Sequence, residues 1–267
     1  MNAIIIRIIK DRRTSLILYC LAGILLIWLL ITFFPIVRQQ AENIKGFLES
    51  IPTVLLKAFG IENLNIFTIE GFLTYKHYSV VWPLMLVFLT ASLAGYGLSG
   101  AVERGTIEIP LSCPVSRLHL FFSLYIAGLF TLIIFAVCSV LVIVPLGEIY
   151  HIEYIFSYHI SVAAIGLLFG WAVFSLTMLL SAIYSEQRKT YMVLGGILFA
   201  MYLFDVIPAV SNTLAWMKYL SLFYYYDPNY ILANNAINSI SILVFAGFAV
   251  ACTAVGAFYF KSRDISV

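Results

Sequence analysis

Two short stretches of this chain gather the side chains that could do chemistry. The first, residues 103–117, reads ERGTIEIPLSCPVSR: a Glu-Arg-Gly-Thr turn, a few apolar residues, then Pro-Val-Ser-Arg. The second, HIEYIFSYH, places His151, Glu153 and His159 within one short run. Histidine and carboxylate together can ligate zinc or copper. Residues 151 and 153, two apart, would point to different sides of a helix, and histidines are common at membrane interfaces. The expectation is therefore that no metal is held.

Other chemistry is missing. There is no HExxH, no GxSxG and no pair of intramembrane aspartates. An enzyme of the membrane interior needs ionisable or nucleophilic groups inside its spans. An ion-coupled transporter carries buried carboxylates, broken helices or an internal repeat. Neither pattern is found. No GxxxxGK[ST] loop exists, so any ATP put to use is expected to be hydrolysed by another polypeptide. Cys20, Cys113, Cys138 and Cys252 are scattered without a CxxC, and three of them read as small apolar residues within spans.

The elements that must position the two stretches are membrane spans. The chain is 63% hydrophobic and 10% charged with a mean hydropathy of +1.01, whereas a soluble domain is about 25% charged. So few charges cannot cover a water-facing surface, and the chain reads as an all-α integral membrane protein. A span needs about 20 mostly apolar residues. Six candidates lie between the charges, at 15–37, 78–100, 118–146, 158–184, 190–210 and 237–260, within a single transmembrane domain over 1–267. The first is too long for a signal-peptide core and is expected to remain as an anchor.

Six spans put both termini on one side. If that side is the cytoplasm it holds Arg7, Lys10, Arg12, Arg13, Arg104, Arg117, Arg188, Lys189, Lys261 and Arg263. The other side holds Arg38, Lys45, Lys57, Lys76 and Lys218, so the excess of basic residues is inside, as the positive-inside rule requires. The 103–117 stretch is then an intracellular loop.

Smaller features follow. In residues 1–13, Ile4, Ile5, Ile8 and Ile9 oppose Arg7, Lys10 and Asp11. This suits either a helix lying in the interface or an extension of the first span. Phe47, Leu48, Ile51, Leu55 and Phe59 recur at helical spacing and predict a short amphipathic helix in the outer loop. LFYYYDPNY (222–230) suits the membrane–water boundary, and Asp205 falls near the outer surface. Gly166 with Gly170, Gly195 with Gly196, and Gly247 with Ala251 predict close helix approach.

The loop itself is built for a sharp exit from the membrane and a sharp return. Gly105 can take the positive φ that a tight turn demands. Thr106 can cap a short helix whose first turn holds Glu108, favourable to the helix dipole. Pro114 stops that helix, and Ser116 can cap the third span, which begins with Arg117.

Glu103, Gly105, Thr106, Ile107, Leu111, Ser112, Pro114, Val115, Ser116 and Arg117 resemble the motif of the ABC type-2 permease family, the membrane subunits of ATP-binding-cassette exporters. IPTVLLKAFGIENLNIFTIEGFL looks like that family's first external loop, YLSLFYYYDPNYIL like its segment before the last span, and FKSRDISV like its cytoplasmic ending. Pro110 departs from the pattern, standing where the family usually has a helix former. The resemblance implies a six-span permease subunit in the cell inner membrane that forms the path of an exporter. It implies pairing with a second permease subunit, identical or related, and docking of two ATP-binding-cassette ATPase subunits. Coupling would run through Glu103, Arg104, Gly105, Thr106, Glu108, Pro114, Ser116 and Arg117. ATP and Mg would sit on the ATPase, with no cofactor in this chain, and lipids rather than nucleic acid would surround it. The second and fifth spans would line the path. The alternative on the same architecture is an ATPase-linked complex for lipid extraction, peptide immunity or assembly of another membrane protein.

Overall fold

The computed structural model describes residues 2–40, 68–106, 116–209 and 212–263. Among these every regular element is helical, and six helices are long and apolar enough to cross a membrane. They are α1 (Asn2–Gln39), α2 (Val81–Glu103), α3 (Arg117–Ile149), α4 (Phe156–Ile183), α5 (Gln187–Val206) and α6 (Ser239–Ser262). The expected amphipathic stretch around residues 47–59, and residues 107–115 of the loop, lie outside the described residues.

α1 is continuous over 38 residues, about 57 Å at 1.5 Å per residue, nearly twice the hydrocarbon thickness of about 30 Å. Its N-terminal turns extend the first span, so the interfacial alternative, a separate helix lying flat, does not hold. No Gly or Pro stands between Asn2 and the apolar stretch, and the Arg and Lys residues there are good helix formers.

Local chemistry sets the other boundaries. Ser116 is extended (φ −68°, ψ 151°) and its hydroxyl accepts from His119 N at 3.2 Å, which starts α3 at Arg117. α3 loosens at Val142, because Pro145 has no N–H for Leu141. α5 stops at Val206 rather than 210: Pro208 has no N–H for the Phe204 carbonyl, and the chain tightens into a 3₁₀ turn over Ile207–Ala209. Asn238 caps α6 by accepting from Ile240 N at 3.0 Å. Short helices Leu222–Tyr225 and Pro228–Asn234 carry the tyrosine-rich segment, where buried Tyr226 donates to Tyr78 O at 2.8 Å.

α4 is the central helix, packed along α6, α2 and α3. In its most apolar stretch 72% of residues are buried, against 17% for α1 and for α5, which are peripheral. Close approach to α2 rests on Gly166: a Cβ there would lie 1.9 Å from the Trp82 ring. Trp82 is fully buried and stacks on Phe135 of α3 at 6.4 Å. Gly195, Gly196 and Gly247 differ from the expectation, since none of the described residues lies within 4 Å of a Cβ at those positions.

One polar node ties α3, α4 and α6 inside the bundle. The Tyr125 hydroxyl accepts from Trp171 Nε1 at 2.6 Å and from Thr253 Oγ1 at 2.8 Å, and lies 2.6 Å from Ser175 Oγ. Ser175 in turn donates to Trp171 O at 2.8 Å, which closes the circuit. A π-helical turn, Gly95–Ser99, lies within α2; another, Thr74–Tyr78, precedes the span and is set off from it by Ser79 and the non-helical Val80 (φ −128°, ψ −58°).

Candidate functional site

The two ends of the 103–117 loop converge on the turn between α4 and α5. At the first end, Glu103 Oε2 accepts from Gln187 N at 2.9 Å. Gln187 is the first residue of α5, whose N-cap, Glu186, makes no side-chain capping bond, so a carboxylate from α2 does that work. This places negative charge at a helix N-terminus, where the dipole favours it. The family resemblance assigns Glu103 to coupling; its carboxylate here is committed to α5.

At the second end Arg117 donates to the carbonyl of Arg263, just beyond α6. Arg263 in turn donates to Ala182 O at 2.7 Å and to Ser185 Oγ. These contacts satisfy a carbonyl orphaned at the end of α4. These contacts, with Arg12 of α1 stacked on Tyr96 of α2, gather the N-terminal part of α1, the two described ends of the loop, the α4–α5 turn and the end of α6 at one end of the bundle.

Between these anchors, Gly105 adopts φ +69° and its N–H bonds Val102 O at 3.0 Å, a left-handed turn that ends α2. Thr106 Oγ1 donates back to Ala101 O at 3.3 Å. Arg104 stacks on Tyr96, its guanidinium carbon 3.7 Å from the ring centre. Glu108 and Pro114 lie outside the described residues.

The sequence did not point to the residues that key α5 onto α2. Tyr191 presses its ring against Gly95, where a Cβ would lie 2.2 Å away, and its hydroxyl accepts from Gln187 Nε2 at 2.6 Å. Gln187 Oε1 occupies the space that a Cβ on Gly100 would need. The signal was the run GYGLSG, with three glycines in six residues beside the loop.

At the opposite end, His151 and Glu153 are exposed, with His151 in a left-handed turn (φ 51°). His159 points elsewhere: it is buried, and its Nδ1 lies 3.1 Å from Tyr78 Oη. Among the described residues no three His, Cys, Asp or Glu side chains gather to hold a metal. Glu70 is buried beside them and accepts from Ile155 N at 2.6 Å. His77, buried without a hydrogen-bonding partner for either ring nitrogen, also went unnoticed in the sequence.

Six apolar helices, one of them central and buried, define a multi-pass, all-α membrane protein. A family profile described as "ABC-2 family transporter protein" matches residues 4–265, and the chain belongs to that family. It is therefore a membrane transport component, the permease type of subunit of an ABC transporter. No curated protein matches it.

Proposed function

We propose that this subunit forms the translocation path of an ATP-driven exporter in the cell inner membrane and is coupled to separate ATPase subunits through the 103–117 loop. Both termini and the loop face the cytoplasm. Two ATPase subunits dock beneath the loops, and ATP and Mg belong to them. The observation that carries this reading is the double anchorage of the loop: Glu103 holds the start of α5, and Arg117 reaches Ser185 through Arg263. Force applied to the loop passes directly to the α4–α5 turn, and from there to α5, which is keyed to α2 at Tyr191 and Gly95. Those are the two spans expected to line the path. Among the described residues α1 and α5 are thinly covered and nothing lies against Gly195 and Gly196, which supports pairing with a second permease subunit.

The test is purification of the tagged chain with its native partners. An ATP-binding-cassette ATPase should co-purify in equal stoichiometry, and hydrolysis should require it. With the other cysteines replaced, Cys113 should react with a membrane-impermeant thiol reagent only in inside-out vesicles. A chain that transports with no ATPase present, or whose Cys113 is labelled in intact cells, would refute the coupling or the orientation respectively.

A further inference from the structure

Arg12 of α1 and Arg104 at the end of α2 stack on the same ring, each guanidinium carbon 3.7 Å from the centre of Tyr96. Two guanidinium groups cannot both come so close to the centre of one face, so each takes its own. The cations are then held roughly 7 Å apart, well inside a Debye length.

Both guanidinium groups have capacity to spare. Arg12 Nη2 donates to Ser92 O at 3.4 Å and Arg104 Nη2 to Tyr96 O at 3.1 Å, each a carbonyl of α2. A guanidinium carries five donors. Among the described residues no carboxylate lies within 4.0 Å of either group, the ion pairs there being Arg7–Asp11 and Lys189–Glu186. Glu103, the neighbouring carboxylate, is turned away to Gln187 N. Two like charges fixed against one ring are unfavourable without a counter-ion, and none of the described carboxylates supplies it.

The surroundings say what kind of anion fits. Tyr96 is 45% exposed, so the sandwich opens outward. Phe88 and Leu84, four residues apart on one face of α2, are exposed eight and twelve residues before Tyr96, about two and three turns further into the membrane, and offer apolar surface there. Arg12 lies just ahead of the apolar stretch of α1. Planar guanidinium groups bind phosphate oxygens bidentately. We propose that the Arg12–Tyr96–Arg104 sandwich binds the phosphate of an acidic phospholipid headgroup, with the acyl chains lying along Phe88 and Leu84.

Native mass spectrometry of the full-length chain in detergent, titrated with phosphatidylglycerol, tests this. One phosphatidylglycerol should be retained in preference to phosphatidylcholine. Arg12→Gln and Arg104→Gln should each weaken retention about ten-fold, as expected for one charge-assisted contact. Tyr96→Phe keeps the ring and should bind like the wild type. Arg13→Gln removes an exposed charge one residue away and should also change nothing. Equal retention of phosphatidylcholine, or an equal loss in Arg13→Gln, would reduce the site to diffuse surface charge and overturn the proposal. Inorganic phosphate competing as well as the lipid would overturn the lipid assignment. Where the neutral variants fail to fold, Arg12→Lys decides, because it keeps the charge without the planar stack; wild-type affinity there would reject the stacked geometry. Undiminished retention in the folded Arg12→Gln/Arg104→Gln double variant would leave the cations to another partner, such as carboxylates of a docking ATPase.

Discussion

Glu103 and Gln187 are 84 residues apart in sequence, yet the Glu103 carboxylate accepts the first N–H of α5 at 2.9 Å. The end of the second span thereby caps the start of the fifth. Glu103→Ala should lower the melting midpoint by a few degrees, the loss of roughly one hydrogen bond. Glu103→Gln keeps an acceptor and should fall between the two. Both should still reach the membrane while substrate-stimulated hydrolysis by the assembled complex drops, more for alanine. Wild-type melting and wild-type hydrolysis in Glu103→Ala would show that the bond carries nothing.

Gly105 tests the turn rather than the charge. A Cβ there would meet nothing within 4 Å of the described residues, so space is not the constraint. The constraint is φ +69°, which costs a non-glycine residue about 1–2 kcal/mol and a β-branched one more. Gly105→Val should cut ATPase co-purification sharply, whereas Gly105→Asn, tolerant of left-handed geometry, should stay near the wild type. Equal behaviour of the two variants would remove the backbone explanation.

Tyr125→Phe should destabilise the bundle by about 1–3 kcal/mol, because it leaves buried Ser175 and the Trp171 N–H short of a partner. Ser175→Ala should cost less, since Trp171 and Thr253 keep the Tyr125 oxygen. A thermal-shift series in detergent reads both. The circuit is not a stabilising unit if Tyr125→Phe melts no lower than Ser175→Ala.

His77 gives a pH dependence. Burial alone lowers its pKa from 6.5 to about 4. The unfolded chain therefore takes up a proton that the folded chain refuses between those values, and stability should decline as pH falls from about 6.5 towards 4. Its packed neighbour is the Tyr78 ring, 5.2 Å away between centroids. His77→Leu should flatten that part of the melting-temperature profile. An unchanged slope would mean that the acid sensitivity originates elsewhere.

Much of the architecture was legible because a membrane imposes it. Charges are so costly in hydrocarbon that the gaps between them outline six helices, and Ser116, a short-range signal, marked the start of α3. Ends governed by proline were less legible: Pro208 shortened α5, although the apolar composition ran on. The candidate site was only half readable. Gly105 announces its own conformation, since a single residue sets it. Glu103 could be seen as a carboxylate at a span end, but its partner Gln187 lies a whole helical hairpin away. The same holds for Tyr191 on Gly95 and for Arg263 reaching across to Ser185. His159 looked like a companion of His151 by spacing, and helix rotation sent it to Tyr78 instead.

Within α2 one surplus residue is wound into the wide turn Gly95–Ser99, and Gly100–Glu103 completes the span beyond it. Were that turn to tighten to ordinary α geometry, the end of the span would move by one residue, about 1.5 Å along the axis and about 100° around it. Trp82, seated against Gly166, would stay in place while Glu103 swung away from Gln187. The slack held in one turn would therefore decide whether the second span grips the fifth.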